Sequence, residues 1–414
     1  MKIVIIGAGA AGLFLANRLP ESFEVIVIER QKHAGRKLAI SGGGRGNITW
    51  EGIEWNDAFS AYHGAHRFVR NALQRFDPNS MRTMLRRLGL PTKSEGHRVY
   101  PATEKAQDVV DVLHRCAVKR GVTFSFGETA ERIEPCGSGL SLEGSSKFSV
   151  VTDQRALVAD CVVVATGGCF SSKQYDWIRD LGHEVTTIRP ALAALETEWC
   201  GTHFPAGVKR EVETLFSRLQ GYAVETEILL PPSTGVTKPL KGDLLFTHFG
   251  LSGPLILDAS RFLAKGDVVR VAMTKCSAEL EDFFLGEVQR HGRETMRYFL
   301  NQVSRSPRLK EIQLAMLESG CAEAKLAEIG RAQRKQIIEH IRFLDFRVTS
   351  FHSPMLTRGG VSLREVKSST MESRIHPGLY WVGEVLDVDG KTGGYNIQWA
   401  YASACAAADA IASR

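Results

Sequence analysis

The first dozen residues contain the pattern that most restricts how this chain can fold. An apolar run over residues 2–6 leads into Gly7, Gly9 and Gly12, and alanine and leucine then recur at helical spacing. In a strand–turn–helix of this kind Gly7 allows the tight turn, Gly9 lets a pyrophosphate approach the backbone, and Gly12 lets the helix pack on the strand. The free N–H groups and positive dipole end of the helix favour phosphate. The pattern therefore predicts a dinucleotide-binding unit.

A second apolar run at 24–28 ends at Glu29, 22 residues after Gly7. A carboxylate at this place accepts hydrogen bonds from the adenosine ribose hydroxyls and disfavours a 2′-phosphate. The pocket is therefore expected to bind FAD or NAD and to be a poor fit for NADP. The predicted cofactor contacts near this end also include Ala10, Ala11 and Arg30.

A glycine-rich loop that follows the second strand favours FAD over NAD. Four glycines within five positions leave a bare backbone, which can lie against a large flat ligand and direct its N–H groups at it. Basic side chains in the loop can neutralise phosphate, and an asparagine at its end is expected to contact the flavin. A flexible surface loop is the alternative interpretation. The predicted contacts are Gly35, Arg36, Lys37, Ser41, Gly42, Gly43, Gly44, Arg45 and Asn47.

Two later segments also favour FAD. A buried strand at 161–165 ends in Ala-Thr-Gly-Gly, which recurs in flavoproteins where the chain crosses near the cofactor, although any strand and turn could contain it. A strand at 379–382 precedes acidic residues, and an acid there binds the ribityl chain in flavoproteins. The following helix directs its N-terminus at the flavin N1/C2 carbonyl, where its dipole stabilises the reduced ring. The predicted contacts are Ala165, Thr166, Gly167, Gly168, Gly383, Glu384, Asp387, Gly393, Gly394, Tyr395 and Asn396.

The sequence contains no second GxGxxG motif of the kind that a separate NAD(P)H domain requires. Its nearest approach, Gly-Ser-Gly at 137–139, lacks the third glycine and the acidic partner. NAD(P)H is therefore expected to act as an external electron donor that docks directly at the flavin.

The order of these features predicts an α/β fold that contains an inserted domain. Residues 1–189 and 351–414 are expected to form one discontinuous, Rossmann-like FAD-binding domain of the two-dinucleotide-binding flavoprotein type. Short alternating apolar runs separated by proline and glycine predict a β-rich domain over 190–276 and 336–350. Residues 277–335 are rich in Ala, Leu, Glu, Lys and Arg, which predicts a helical subdomain.

Composition places the chain among ordinary globular proteins. Its 414 residues suggest two or three domains, and 43% of them are hydrophobic while 24% are charged. Without a run of 18 apolar residues, no transmembrane helix is expected. A cleaved signal peptide is not expected either, because the first strand begins at Lys2. The eight cysteines form no CxxC pair or zinc-like spacing, so we expect reduced cysteines, no metal and a cytoplasmic protein.

The positive charge of the chain is concentrated in one segment. The whole chain has a formal net charge of +6, whereas residues 60–120 contain twelve Lys or Arg and five Asp or Glu, an excess of seven. Residues 65–90 are rich in arginine and predict a helical stretch, so a solvated helical face would explain this charge. A surface that binds a polyanion such as RNA would explain it too.

Five motifs closely resemble those of the BaiN/RdsA (YhiN-like) flavoproteins. They lie at 41–47, 245–254, 359–361, 383–390 and 393–398, and the resemblance extends from the first strand to the last helix. It implies bound FAD, a Rossmann-like FAD domain, and an inserted β-barrel-like domain with a helical subdomain. Members of the family have been linked to the reduction of uridine to dihydrouridine in large-subunit ribosomal RNA, to bile-acid intermediates and to amine oxidation. Family membership alone therefore does not fix the substrate.

The chain departs from the family at two places. Gly46 stands where members often have cysteine, so any role of that thiol is absent. The segment 169–177 is short and lacks the Gly-Asp-Gly stretch that usually follows Ala-Thr-Gly-Gly.

Hydride transfer through flavin N5 needs a positioned substrate and a proton source. The candidate donors are His248, in a glycine-flanked loop of the inserted domain, and His97 and Tyr100, near the basic residues. Each has a structural alternative, in which the side chain only holds its loop or strand in shape.

Three functions remain open from the sequence. The first is an NAD(P)H-dependent reductase that converts uridine to dihydrouridine in ribosomal RNA, with the segment 60–120 as RNA-binding surface. The second is a flavin oxidase or reductase of small molecules such as amines or enones. The third is a flavin-binding protein without catalytic activity. We favour the first.

Overall fold

A computed structural model of the protein describes residues 1–136, 148–200, 216–275, 279–317 and 320–414. These residues divide into two compact units, the first made of Met1–Pro190 with Met355–Arg414 and the second of Ala191–Pro354. The glycines at 137–139 and the expected start of the helical subdomain at 277 lie outside the described residues.

The described residues form nineteen strands and thirteen helices. The strands are β1 Lys2–Ile6, β2 Glu24–Glu29, β3 Thr49–Trp50, β4 Thr92–Glu95, β5 Arg98–Pro101, β6 Thr123–Phe126, β7 Ala130–Pro135, β8 Phe148–Thr152, β9 Ala156–Ala159, β10 Cys161–Val164, β11 Arg189–Ala191, β12 Ala194–Trp199, β13 Ala223–Leu229, β14 Leu240–Phe246, β15 Gly250–Ser252, β16 Val268–Ala272, β17 Phe343–His352, β18 Leu356–Arg358 and β19 Leu379–Trp381. The helices are α1 Ala10–Ala16, α2 Arg36–Ala39, α3 Trp55–Ser60, α4 His66–Arg75, α5 Pro78–Arg87, α6 Ala106–Lys119, α7 Asp176–Asp180, α8 Pro254–Ser260, α9 Leu280–His291, α10 Met296–Val303, α11 Pro307–Ala315, α12 Arg331–Arg342 and α13 Tyr395–Ala412.

The first unit is built on a five-stranded sheet with the order β19-β10-β1-β2-β6. All neighbouring strands pair in parallel, and β10 and the inner part of β1 are completely buried, as continuous apolar strands between helical layers must be. The predicted Rossmann-like α/β fold is therefore confirmed. Two small antiparallel sheets, β3-β5-β4 and β7-β8-β9, complete the strands of this unit together with the pair β11-β18.

The last helix, α13, packs against α1 and α4 with an almost entirely buried surface. Eight of its eighteen residues are alanine, and the run from Trp399 to Ala408 is buried throughout. Small side chains allow α13 to approach α1 closely, where the Tyr401 ring meets the Phe14 ring edge-on at 5.2 Å between centroids. Packing of α13 thus helps to hold α1 in position.

The second unit contains a closed six-stranded barrel with the order β12-β15-β14-β13-β16-β17. The strands alternate between buried and exposed residues, so that one side fills the barrel interior. Its core includes Leu195, Ile228, Leu244, Val271 and Leu344. The predicted β-barrel-like insertion is confirmed, as is its helical part, in which α9 to α12 enclose a separate core around Phe284 and Phe299.

Two predicted helical segments differ in detail from the structure. The Arg-rich stretch at 65–90 is two helices, because Asp77 caps α5 by accepting the Ser80 N–H at 2.7 Å and Pro78 occupies its first turn. The helix α12 continues to Arg342, past the expected end of the helical subdomain at 335, and the alternating sequence that follows forms β17 from Phe343.

Neither a membrane span nor a cross-link is found in the part of the chain that the structure describes. No helix there combines the length and hydrophobicity that crossing a bilayer requires. The seven described cysteines form no disulfide, and no group of three metal-ligating side chains comes together.

A buried histidine holds the segment before β19 in the first unit. His183 is 2% exposed, its Nδ1 lies 3.1 Å from Glu365 Oε2 and its Nε2 lies 3.0 Å from Ser373 Oγ. The Ser373 oxygen also accepts the N–H groups of Ile375 and His376. Burial lowers the pKa of His183 below its ordinary 6.5, although Glu365 acts in the opposite direction.

His183 is therefore expected to make stability depend on pH. Below about pH 6.5 the unfolded chain binds a proton that the folded chain does not, so the free energy of unfolding falls as pH drops toward the folded-state pKa. Urea unfolding at pH 7.5, 6.5 and 5.5 should show a smaller loss for His183→Gln than for the wild type. His97→Gln, at an exposed site, should follow the wild type. Equal losses in all three proteins would contradict this role.

Candidate functional site

The predicted cofactor motifs lie at one edge of the parallel sheet. Ile6 pairs with both Val164 and Ile28, and Val164 pairs with Trp381, so β1, β2, β10 and β19 end in one row. The loops that leave these strands therefore begin side by side, at the carboxyl edge where open α/β sheets bind ligands. Residues 7–12, 29–30, 165–168 and 383–387 are brought together in this way.

The three glycines of the first motif have different surroundings. A Cβ on Gly7 would lie 2.5 Å from the Ala165 oxygen, and a Cβ on Gly12 would lie 2.0 Å from the Gly7 oxygen. Both positions are filled by backbone of the protein itself. A Cβ on Gly9 would have Ala165 O at 3.9 Å as its sole neighbour within 4 Å among the described residues. Space beside Gly9 and the start of α1 is thus open to a ligand.

Glu29 is held at the end of β2 by backbone N–H groups. Its Oε2 accepts the Ala8 N–H and its Oε1 accepts the Gln31 N–H, each at 2.8 Å. This links the carboxylate directly to the first glycine turn and fixes its direction. The neighbouring Arg30 is exposed and donates to Gln174 Oε1 at 3.1 Å.

The glycine-rich loop is tied to the first motif and is otherwise bare. Gly35 donates its N–H to the Ala8 oxygen at 2.8 Å and has a φ of +69°, which a residue with a Cβ disfavours. A Cβ on Gly43 or Gly44 would meet nothing within 4 Å among the described residues. Ser41 donates its hydroxyl to the Leu38 oxygen at 2.7 Å. This end of the loop therefore presents backbone to its surroundings, as a flat ligand requires.

Lys37 joins three of the loops at this edge. Its Nζ lies 3.1 Å from Glu384 Oε2 and donates to the Gly168 oxygen at 3.2 Å. Glu384 Oε1 also accepts the Thr357 N–H at 2.9 Å. The pair holds the glycine-rich loop, the turn after β10 and the turn after β19 in one arrangement. Arg36 beside it is exposed.

Arg45 is engaged by two carboxylates. It donates to Glu104 at 2.9 Å, pairs with Glu95, and lies over the Tyr100 ring with 4.4 Å to the centroid. Hydrogen bonds from Lys93 and then Arg45 lower the pKa of Glu104, which keeps this carboxyl ionised. A phosphate contact by Arg45 stays a prediction, since the guanidinium has these partners in the structure.

The residues around the start of α13 contact other parts of the protein. Asn396 Oδ1 accepts the Gly390 N–H at 2.7 Å, and the Tyr395 ring stacks on Trp50 at 4.5 Å. Gly394 caps the helix with a φ of +92°, and a Cβ there would lie 2.6 Å from the Thr49 nitrogen. Gly393 precedes it with a φ of +116°.

Asp387 is likewise held within the first unit. It accepts the Gly359 N–H at 3.1 Å and the Thr186 hydroxyl at 2.9 Å. Side chains of Asp387 and Asn396 therefore shape the loops, and a direct cofactor contact by either of them stays a prediction.

A buried tyrosine holds the turn after β10 through a hydrogen bond. The Tyr175 hydroxyl accepts the Cys169 N–H at 3.0 Å, and burial raises the pKa of Tyr175 to about 12. The phenol is therefore neutral at physiological pH. In this way the short segment 169–177 holds Ala165 to Gly168 in place.

The residues present fit a bound FAD. Two buried oxygens, Asn47 Oδ1 and Thr357 Oγ1, have no hydrogen-bond partner among the described residues. Asn47 ends the glycine-rich loop, and Thr357 lies in β18, where a Cβ on Gly168 would come within 2.6 Å of its Oγ1. Buried polar atoms of this kind are rare unless a ligand or water satisfies them. Together with the open side of Gly9 and the fixed Glu29 carboxylate, they match a cofactor that has a pyrophosphate, a ribose and a polar ring.

The three predicted proton donors do not come together within one unit. His97 is exposed at the turn between β4 and β5, with Nδ1 3.0 Å from the Glu51 oxygen, and Tyr100 is buried under Arg45. His248 belongs to the barrel unit, where it is exposed in the turn between β14 and β15. A catalytic role of any of them stays a prediction.

Sequence reasoning did not identify Thr357, or the pairing of Lys37 with Glu384. Lys37 and Glu384 are 347 residues apart, so nothing local in the sequence links them. Thr357 lies two residues before the motif at 359–361, and this proximity is the signal that would have drawn attention to it.

Comparison with a family model gives a match over almost the whole chain. The model is described as HI0933-like protein Rossmann domain, and it matches residues 1–410. The resemblance to the BaiN/RdsA flavoproteins is thereby confirmed.

Two curated relatives align over nearly the full length of both chains. The chain is 29% identical to a 3-dehydro-bile acid delta(4,6)-reductase of Clostridium scindens, covering 100% of this chain and 99% of the relative. It is 30% identical to a ribosomal RNA dihydrouridine synthase of Escherichia coli, covering 99% and 98%. Among solved structures, a 3-ketosteroid delta1-dehydrogenase of Sterolibacterium denitrificans aligns over 99% of both chains with a TM-score of 0.50 and 12% identity, a likeness of fold.

Proposed function

This chain belongs to the HI0933-like Rossmann-domain family of FAD-dependent oxidoreductases, and we propose that it reduces uridine to dihydrouridine in large-subunit ribosomal RNA with NAD(P)H as electron donor. The observation that carries the choice of RNA is the exposed, unpaired positive charge beside the glycine-rich loop. The relative from Escherichia coli, which is named for this reaction, supports the same choice.

When bound, FAD supplies a hydride from N5 of its reduced ring. The residues of the protein hold the cofactor for this purpose. The N–H groups at the start of α1 would hold the pyrophosphate, and Glu29 would accept the ribose hydroxyls. The positive dipole end at the N-terminus of α13 would stabilise negative charge on the reduced ring. Lys37 and Glu384 keep the three loops together around it.

The names of the two relatives agree on a type of reaction. One specifies a reductase of a 3-dehydro bile acid at delta(4,6) positions, and the other the synthesis of dihydrouridine. Each reaction adds a hydride and a proton across a carbon–carbon double bond that is conjugated with a carbonyl group. Reduction of such a bond is therefore the part of the proposal that does not depend on which substrate is bound.

The basic segment 60–120 has the charge that an RNA surface needs. Four of its twelve cations pair with carboxylates, as Arg75 does with Asp409 and Arg82 with Glu51. The other eight are exposed and have no ion-pair partner within 4.0 Å among the described residues. They are Arg67, Arg70, Arg86, Arg87, Arg98, Lys105, Arg115 and Lys119. Free cations on a surface attract the phosphates of a nucleic acid.

The part of this surface at the start of α6 and at the hairpin of β4 and β5 adjoins the glycine-rich loop. Gly46 is buried against the start of α6, where its Cβ would lie 3.0 Å from the Ala106 Cα. The hairpin of β4 and β5 pairs with β3 directly after the loop, and Arg45 contacts Tyr100 of that hairpin. A polyanion on the segment would thus lie close to the glycine-rich loop.

RNA binding should respond steeply to salt. We expect affinity for a large-subunit ribosomal RNA fragment to fall about tenfold or more between 50 and 200 mM salt, because each phosphate contact releases counterions. The double variant Arg86→Gln, Arg87→Gln should bind more weakly and reduce the log–log salt slope by about one or two. Filter binding or fluorescence anisotropy measures both quantities.

Arg364→Gln, Arg374→Gln is the matched control, because both arginines are exposed in the same unit outside the segment. It should bind RNA as the wild type does. Absent or salt-independent binding would overturn the RNA proposal. The alternative is then a small-molecule reductase of enones, which the relative from Clostridium scindens favours, or an amine oxidase.

A further inference from the structure

A tryptophan ring lies open on the surface of the first unit, just before the basic segment. Trp55, the first residue of α3, is 36% exposed, and its ring stacks on Phe59 with 5.2 Å between centroids and 22° between planes. Phe59 lies one turn further along the helix and is 5% exposed. Among the described residues, the Trp55 side chain makes no hydrogen bond and no other ring or cation contact. Phe59 therefore covers one face of the indole, and the exposed area of the indole is turned away from Phe59.

Two arginines of the neighbouring helix bring positive charge to this ring. The Arg70 guanidinium lies over the Phe59 ring, 5.0 Å from its centroid, so Arg70 and Trp55 rest on the same side chain. Arg67, three positions earlier on α4, shares that face of the helix. Both arginines are exposed and have no ion-pair partner within 4.0 Å among the described residues. A free guanidinium thus lies beside the indole.

The acidic residues near the ring do not cancel this charge. Glu51 is paired with Arg82. Glu54 and Asp57 lie one and two positions from Trp55, and side chains at these spacings do not face each other on a helix. The helix α4 contains no acidic residue. The surface beside the indole is therefore basic on the side of α4.

The chain that carries the ring is anchored to the cofactor edge of the first unit. The Lys391 N–H donates to the Ala61 oxygen at 3.1 Å, and the Tyr62 hydroxyl donates to the Tyr395 oxygen at 2.7 Å. Both bonds join the residues directly after α3 to the residues around the start of α13. An aromatic ring on an anchored helix loses little freedom when a ligand stacks on it.

We propose that Trp55 stacks on an unpaired base of the RNA, with Arg70 holding the adjacent phosphate. The inference rests on the proposed function and deepens it, because it names the form of RNA that is recognised. An indole face next to a guanidinium suits a nucleotide, which presents a flat base and a phosphate together. In a duplex the bases are stacked on one another and are closed to such a contact. The protein therefore binds single strands and loops in preference to duplex RNA.

The test compares a labelled single-stranded RNA of about twelve nucleotides with the same strand paired to its complement, by fluorescence anisotropy on the holoprotein. Trp55→Leu keeps an apolar contact with Phe59 but loses the ring face. We expect it to weaken binding of the single strand about tenfold and to leave the duplex affinity unchanged. Trp55→Phe keeps a ring and should retain most of the affinity. Arg70→Gln should reduce the log–log salt slope for the single strand by about one.

Phe283→Leu is the matched control, because Phe283 is 37% exposed and also packs on a buried phenylalanine, Phe299, at 6.0 Å between centroids. Its neighbours in α9 are the acids Glu281 and Asp282, so no phosphate is expected there. Phe283→Leu should leave both affinities unchanged. Thermal melting identifies any variant that is misfolded, and the Leu and Phe variants of Trp55 are then compared with each other.

The outcomes separate this inference from the proposed function. A Trp55→Leu protein that binds the single strand as tightly as the wild type overturns the stacking site and leaves the proposed function intact. An equal loss for the single strand and the duplex also overturns the stacking site, since a stack on an unpaired base contributes nothing to a duplex complex. If the wild type binds neither RNA, the choice of RNA as substrate and the stacking site are both wrong.

Discussion

The Gly9→Glu protein is expected to fold and to contain no FAD. Gly9 has ordinary backbone angles, with φ −76° and ψ −170°, and its Cβ would have nothing nearer than 3.9 Å among the described residues. A glutamate therefore enters the space that the cofactor needs without disturbing the protein. Its carboxylate would repel the pyrophosphate by about 4 kcal/mol at about 4 Å with an effective dielectric constant of about 20, or about a thousandfold in affinity.

The measurement is the ratio of flavin absorbance to protein absorbance after purification, together with a titration of the apoprotein with FAD. The far-UV circular dichroism spectrum should match that of wild-type apoprotein. Gly330→Glu places the same charge at a glycine with φ −65° and nothing within 4 Å among the described residues, and it should retain full flavin content. A yellow Gly9→Glu protein with normal FAD affinity would show that the pyrophosphate does not bind at α1.

Gly12→Ala, three residues further, is expected to damage the fold itself. Its Cβ would lie 2.0 Å from the Gly7 oxygen and 3.2 Å from the Gly7 carbonyl carbon. Both atoms are backbone at the end of β1, so α1 would have to move away from the sheet by more than an ångström. Because α1 also packs against α13, we expect a loss of about 4 kcal/mol or more in the free energy of unfolding.

Urea unfolding of the apoproteins measures this loss without a contribution from the cofactor. Gly9→Ala is the control, since it adds the same methyl group where Ala165 O at 3.9 Å is its nearest neighbour, and it should lose less than about 1 kcal/mol. Equal midpoints for the two variants would mean that the close contact of α1 with β1 does not limit stability.

The parallel sheet could be predicted from the sequence because each of its main strands carries a local signal. Their inner parts, at 3–6, 25–28 and 161–164, are continuous apolar runs, and glycines follow the first and the last. The hairpin of β4 and β5 gave no such signal, since Thr92–Glu95 is polar and largely exposed. It forms through pairing with β3, which lies more than 40 residues earlier in the chain.

The candidate site could also be predicted in part, where the residues carry a local signal, and not where it depends on distant contacts. The glycines of the first motif were predictable because each answers a local need of the turn, the ligand or the helix. The Lys37–Glu384 pair joins residues 347 positions apart, so only the folded chain reveals it. The partners of Arg45 were missed for the same reason, since Glu95 lies 50 positions away.

Departures from the predicted helices have local causes that were present in the sequence. Asp77 and Pro78 form a capping signal in the middle of the Arg-rich stretch, and they divide it into α4 and α5. The division turns one expected basic helix into two. The exposed cations of the segment are consequently spread over α4, α5, α6 and the hairpin.

The dihydrouridine content of large-subunit ribosomal RNA, measured by mass spectrometry in cells with and without this gene, tests the proposed function most directly. We expect deletion to remove a dihydrouridine, the wild-type gene to restore it, and the Gly9→Glu gene to fail although its protein accumulates. An unchanged dihydrouridine content in the deletion strain would contradict the account and make the substrate a small molecule.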